Sequence, residues 1–205
     1  MVDFEEHLEP TRKGPLVFAF ASENDHRFEW GHYLDKIHVP HVMFKDGSDQ
    51  WYAYGCAGIG DMDAIVKYLR KFVTFRDCMA LGLSKGAYAA LKFASLAKIP
   101  RVLALCPVTG CGDYVKCDFP PNWWHRIEHI RPFPIEDLKP LYTNGGFVPI
   151  VKAFISDGDG TELDRQMCER VGITDIILIP GFSHSNLARG MRDGGMLDKL
   201  MTEPW

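Results

Sequence analysis

The stretch Cys78-Met79-Ala80-Leu81-Gly82-Leu83-Ser84-Lys85-Gly86-Ala87-Tyr88-Ala89-Ala90-Leu91 decides how this chain is read. Its first six residues are an apolar run with the length of a buried strand, and the Ala-rich run after Gly86 has the composition of a helix. Between them a serine stands in a G-x-S-x-G pentapeptide. A serine held in a sharp strand-to-helix turn has its hydroxyl projected clear of the sheet, where it can act as a nucleophile. Gly82 and Gly86 leave room for strand and helix to approach without Cβ clashes. The N–H of Lys85 then points to where an oxyanion would form, at a helix N-terminus whose dipole favours negative charge. The pentapeptide alone is a weak signal, and the competing reading is a tight turn with an incidental serine. Its place between an apolar strand and a helix is what makes it specific.

On both sides of this stretch, short apolar runs alternate with amphipathic helical segments, as in a mostly parallel sheet covered on both faces. The expected strands are Leu16–Phe20, His41–Phe44, Cys78–Leu83, Arg101–Cys106, Val151–Ile155 and Asp175–Ile179. Helices are expected near 27–37, 60–73, 86–97 and 161–171. A last helical segment at 186–201 carries Gly190, Gly194 and Gly195 and is expected to break. From Thr109 to Pro149 the rhythm stops: six prolines, two adjacent tryptophans and no clear strand, with one short helix expected near 135–142. A connection this long is usually functional, so it reads as a cap of about 109–149 inserted in one domain spanning 1–205.

The totals agree with an α/β domain of 205 residues, 46% hydrophobic and 24% charged. A net charge of -4 with no basic stripe argues against a nucleic-acid or anionic-membrane partner. No apolar run approaches the ~20 residues that span a bilayer. The acidic start Met1-Val2-Asp3-Phe4-Glu5-Glu6 does not resemble a secretory leader, and the scattered cysteines read as reduced, buried thiols. A cytoplasmic protein is expected; the oligomeric state is not legible.

An activated serine needs a base, and the base needs an orienting carboxylate. Both have sequence candidates just past expected strand ends, the edge where open α/β sheets bind ligands. His184 is the only histidine in the last third of the chain and sits on the loop Pro180-Gly181-Phe182-Ser183-His184-Ser185-Asn186. The carboxylate is sought in Ser156-Asp157-Gly158-Asp159-Gly160-Thr161-Glu162-Leu163-Asp164. Asp159 is preferred for its offset from the strand end, with Asp157, Asp164 and Glu162 as alternatives. The second oxyanion N–H is expected from the loop after the first expected strand, at Ala21 or Ser22.

These residues resemble a compact bacterial-type α/β-hydrolase family. The likeness lies in Trp51-Tyr52, the Gly55…Gly58-Ile59-Gly60-Asp61 helix start, the elbow Gly-Leu-Ser-Lys-Gly-Ala-Tyr-Ala-Ala-Leu, and Leu105-Cys106-Pro107. It continues through Asp159…Asp164, Pro180-Gly181…His184-Ser185…Leu187 and Gly195-Met196-Leu197, covering about 15–110 and 150–200. The resemblance implies an abbreviated sheet of about six strands lacking the first two of larger members. It also implies a Ser84, Asp159, His184 triad. Lys85 and Ala87 depart from commoner residues of the elbow without removing a catalytic group.

Other constellations are less specific. Cys111, Cys117, His125 and His129 offer zinc-ligand types, but the cysteines have five intervening residues where two to four are usual, so no metal and no cofactor are expected. Trp123, Trp124, Phe182 and Trp30 are candidates for pocket walls, with a cap packing its own small core as the equal alternative. The sequence thus reads as a serine hydrolase of a small ester or acyl substrate. A thioesterase or acyltransferase on the same triad, or a non-catalytic binding domain that keeps the fold, stands as the alternative.

Overall fold

The computed structural model describes residues 3–22, 28–48, 50–110, 135–158 and 161–202. Among these residues seven strands form one sheet: β1 Phe4–His7, β2 Leu16–Phe20, β3 His41–Phe44, β4 Cys78–Leu83, β5 Arg101–Leu105, β6 Ile150–Ser156 and β7 Ile176–Ile179. Their spatial order is β1-β3-β2-β4-β5-β6-β7, with every pair parallel except β1 on β3. The helices among the described residues are α1 Gly31–Lys36, α2 Met62–Val73, α3 Lys85–Ala97, α4 Lys139–Thr143, α5 Thr161–Glu169, α6 Leu187–Asp193 and α7 Met196–Thr202. The cap segment expected at 109–149 lies largely outside the described residues.

The two-residue period of a strand sends alternate side chains to opposite faces. Leu16, Phe18, Phe20, Cys78, Ala80, Val102 and Ala104 join the core under α2 and α3. Val17, Ala19, Met79, Leu81, Leu83, Leu103 and Leu105 join the core under α1, α6 and α7. Because both faces are covered, the strands need apolar residues at every position, which is why they read as continuous runs. Helix α2 starts where the Asp61 carboxylate accepts from the Ala64 N–H at 2.9 Å. The C-terminal helical segment breaks at Gly194 and at Gly195, which has φ 69°, while Gly190 stays inside α6.

The sheet has one strand more than expected. Phe4–His7 is short and mixed in polarity, so no periodicity marks it. It is an edge strand, held by pairing Phe4 with Phe44 and by Phe4 packing against Tyr68 at 5.1 Å. The chain leaves β2 toward one sheet edge and returns to β4 on its other side. The C-terminal ends of β2 and β4 therefore flank the crevice where open α/β sheets bind ligands.

That crevice is set by a close backbone approach. A Cβ on Gly86 would lie 2.2 Å from the Phe20 carbonyl oxygen, and one on Gly82 would lie 2.1 Å from the Gly86 carbonyl. Gly86→Ala is expected to lower the unfolding free energy by about 3 kcal/mol or more in urea denaturation, since backbone must move. Gly172→Ala, with φ +81° and nothing within 4 Å of its Cβ, should cost only about 1–2 kcal/mol from its dihedral alone.

Candidate active site

Ser84 links β4 to α3 with φ 52° and ψ -115°, a conformation that side-chain-bearing residues seldom adopt. It is held there from both sides. Its N–H donates to the Leu105 carbonyl at 2.8 Å, and its carbonyl accepts the first helical hydrogen bond from Tyr88 at 3.0 Å. The next strand repeats the device. Cys106 has φ 43°, and its N–H donates to the Phe154 carbonyl at 2.8 Å. Since Leu83 pairs with Leu105, Ser84 and Cys106 leave neighbouring strands at the same level.

The loop after β7 brings His184 to this edge. The Asp157 carboxylate accepts from the Gly181 N–H at 2.8 Å, and the Asn186 side chain accepts from the Ser183 N–H at 2.6 Å. Helix α5 is anchored to the end of β6 by the Thr161 hydroxyl, which donates to the Ser156 carbonyl at 2.6 Å. Its first turn presents Asp164, whose Oδ2 lies 3.5 Å from His184 Nδ1. Donor atoms of Cys106, Asp164 and His184 all lie within 4.8 Å of one another. Burial works against the imidazolium, yet hydrogen bonding and charge from Asp164 and Cys106 outweigh it. They hold the His184 pKa above that of a free imidazole.

Of the four carboxylates considered from sequence, Asp164 is the described one that faces His184. Asp157 holds the histidine loop, and Glu162 is engaged by Arg165 and Gln166. Asp159 lies outside the described residues, as do Trp123, Trp124, Cys111, Cys117, His125 and His129. Among the expected oxyanion donors, Ala21 requires correction: its N–H donates to the Phe44 carbonyl at 2.9 Å and so is consumed by the sheet. The Ser22 N–H meets a carboxylate oxygen of Glu29 at 2.9 Å. Trp30 is corrected too. It is 4% exposed and packs in the core, its indole N–H directed at the Phe20 carbonyl. Phe182 is half-buried, its ring packed over Gly190, where a Cβ would lie 2.0 Å from it.

Two features escaped the sequence reading. Cys106 is the last residue of the expected strand Arg101–Cys106, but β5 ends at Leu105 and Cys106 stands at the edge of the candidate site. The side chain of Lys85 is fully buried, its Nζ 3.7 Å from Asp46 Oδ2. Asp46 also accepts from the Tyr52 N–H at 3.0 Å and the Ser48 hydroxyl at 2.7 Å. The Tyr52 hydroxyl in turn lies within hydrogen-bond reach of the Ala21 and Phe44 carbonyls, at 3.0 and 3.2 Å. This network braces the ends of β2 and β3 against the elbow. A buried lysine at an elbow has no periodic signature, and a Trp-Tyr pair far along the chain gives no hint of its partner.

No protein-family model matches the chain, and no curated protein is detectably similar to it in sequence. Solved structures are similar in fold. An alpha-beta serine hydrolase homologue from Coxiella burnetii is 14% identical with TM-score 0.53, over 97% of this chain and 88% of that one. The capsule O-acetyltransferase of Neisseria meningitidis serogroup A is 14% identical with TM-score 0.59, over 95% of this chain and 89% of that one. A structure from the thaumarchaeon Nitrososphaera gargenis, described with its carboxylesterases, is 12% identical with TM-score 0.58, over 97% and 92%. The chain has the α/β-hydrolase fold. No helix among the described residues is long and apolar enough to cross a membrane.

Removing one partner of the buried pair tests the brace. Lys85→Met should cost about 3–5 kcal/mol, because the Asp46 carboxylate stays buried without its lysine. Lys85→Met combined with Asp46→Asn should lose less than the sum of the two single changes in a denaturation cycle.

Proposed function

We propose that this chain, with its α/β-hydrolase fold, is a serine hydrolase that cleaves a carboxylic ester of a small substrate through an acyl-enzyme. The observation that carries this reading is the backbone of Ser84, whose φ 52° and ψ -115° at a strand–helix junction aim a hydroxyl out of the sheet. Ser84 Oγ attacks the carbonyl and forms the new C–O bond. His184 accepts the hydroxyl proton and later gives it to the leaving alcohol. Water then repeats the sequence on the acyl-enzyme. Asp164 is the carboxylate behind the imidazole; it fixes the tautomer and stabilises the imidazolium.

The tetrahedral oxyanion is assigned to the N–H groups of Lys85, at the start of α3, and of Ser22. The Ser22 N–H already holds a carboxylate oxygen, which supports its use as an anion donor. A substrate oxygen that reaches it displaces Glu29. Every step uses a side chain or a backbone N–H of the chain.

A second reading passes the same acyl group to an alcohol acceptor instead of water. The likeness in fold to an O-acetyltransferase favours it over thioester or amide cleavage. Turnover of an ester with and without added alcohols separates the two.

A fluorophosphonate probe tests the nucleophile: it should label the chain, and Ser84→Ala should abolish labelling. Asp164→Asn should cut kcat by about 10⁴-fold, as expected when the wrong imidazole tautomer is favoured. Asp159→Asn should leave kcat within a few-fold; the opposite outcome moves the carboxylate role to Asp159.

A further inference from the structure

The Cys106 sulfur takes no part in the proposed acyl transfer, yet the fold buries it completely beside the base and its carboxylate. We propose that Cys106, Asp164 and His184 form a binding site for a soft divalent cation of the zinc type, and that the bound ion silences the hydrolase. The silencing rests on His184 being the general base; the site itself does not.

The donor set comes first. A thiolate, an imidazole and a carboxylate are a three-ligand set suited to tetrahedral zinc, whereas magnesium and calcium favour cages of oxygen. Distances agree. With zinc–nitrogen and zinc–oxygen bonds of about 2.0–2.1 Å, a tetrahedral N···O edge is about 3.3 Å. His184 Nδ1 and Asp164 Oδ2 already lie 3.5 Å apart. The donor atoms all lie within 4.8 Å, so on the order of 1 Å of side-chain movement closes the longest edge. Charge balances as well: the thiol releases its proton to solvent on binding, and thiolate plus carboxylate neutralise the dication.

The three ligands come from separate, fixed supports. Cys106 is pinned by its φ of 43° and its N–H bond to Phe154; Asp164 rides on α5; His184 sits on the loop tied by Asp157. The His184 side chain is 40% exposed, which gives the ion an entrance. A second group, His7, Asp35 and His41, fits less well. Its imidazoles stack at 4.5 Å with planes 14° apart, so their in-plane lone pairs do not converge, and Arg12 already donates to Asp35 Oδ1.

An ion on either ring nitrogen of His184 leaves the other carrying the proton. The imidazole then has no lone pair for the Ser84 hydroxyl, and acyl transfer stops. Inhibition is reversed by a chelator.

The test uses Co²⁺ as a spectroscopic probe on the intact, reduced, chelator-treated chain, followed by competition with Zn²⁺. A sulfur-to-cobalt charge-transfer band, bleached by Zn²⁺, should appear and be absent in Cys106→Ser. His184→Ala, at a half-exposed position, should weaken cobalt binding by about 100-fold or more even if Cys106→Ser fails to fold. The double variant Cys111→Ser/Cys117→Ser should keep the band. No band, a band that persists unweakened in His184→Ala or persists in a folded Cys106→Ser, or one lost with Cys111 and Cys117 overturns the site. Zn²⁺ should abolish ester turnover, and a band without such inhibition overturns the silencing. Fluorophosphonate labelling of the metal-free chain reports separately on Ser84: labelling without a band leaves the hydrolase standing alone, and a band without labelling leaves the metal site alone.

Discussion

The geometry of this protein depends on a steric constraint, the near-contact of α3 with the backbone of β4 and β2 at two glycines. Neither Gly82 nor Gly86 has space for even one further carbon. With that approach fixed, the turn between β4 and α3 has room for only a tight conformation, and Ser84 occupies it with a positive φ. The strain of a side-chain-bearing residue there costs on the order of 1–3 kcal/mol and must be held by its surroundings. The holding groups are the Leu105 carbonyl, the first turn of α3 and the two-faced core. The same junction sets the depth of Lys85, which is why a lysine is taken out of water and must find Asp46.

The candidate site is assembled from strand ends, and each loop is tied by one polar contact. Asp157 ties the histidine loop, Thr161 ties α5 to β6, and Tyr52 ties the ends of β2 and β3. None of these groups is placed on the reacting atoms in the proposed mechanism. Their work is to stop loops from drifting at the open edge of the sheet, where the ladder hydrogen bonds have ended. Precision of position here comes from neutral and charged hydrogen bonds to backbone N–H and C=O groups, which fix direction better than apolar packing does.

The parallel sheet was legible because strands buried on both faces need apolar residues throughout. Leu16–Phe20 and Cys78–Leu83 therefore stood out at their full length. The elbow was legible because glycine spacing is a local, short-range requirement. Phe4–His7 was not, since a four-residue edge strand whose half-buried residues, Phe4 and His7, fall on opposite faces carries no usable period. The backbone partners of Ala21 could not be read either: strand ends move by a residue, and one residue decides whether an N–H is spent in the ladder. The pairing of Lys85 with Asp46 joins residues 39 positions apart through space, which no local pattern encodes. Cys106 is a related case, because apolar character continues past Leu105, the last residue of the strand.

Glu29 on the Ser22 N–H gives the molecule a tethered competitor. Any anion seeking that N–H contends with a carboxylate on the same chain, seven residues away, whose effective concentration does not fall on dilution. Small free carboxylates and phosphate are thereby discounted by a constant factor. A ligand that brings further contacts of its own can outbid the tether. The contact thus works as a threshold on affinity, set by chain length and independent of protein concentration.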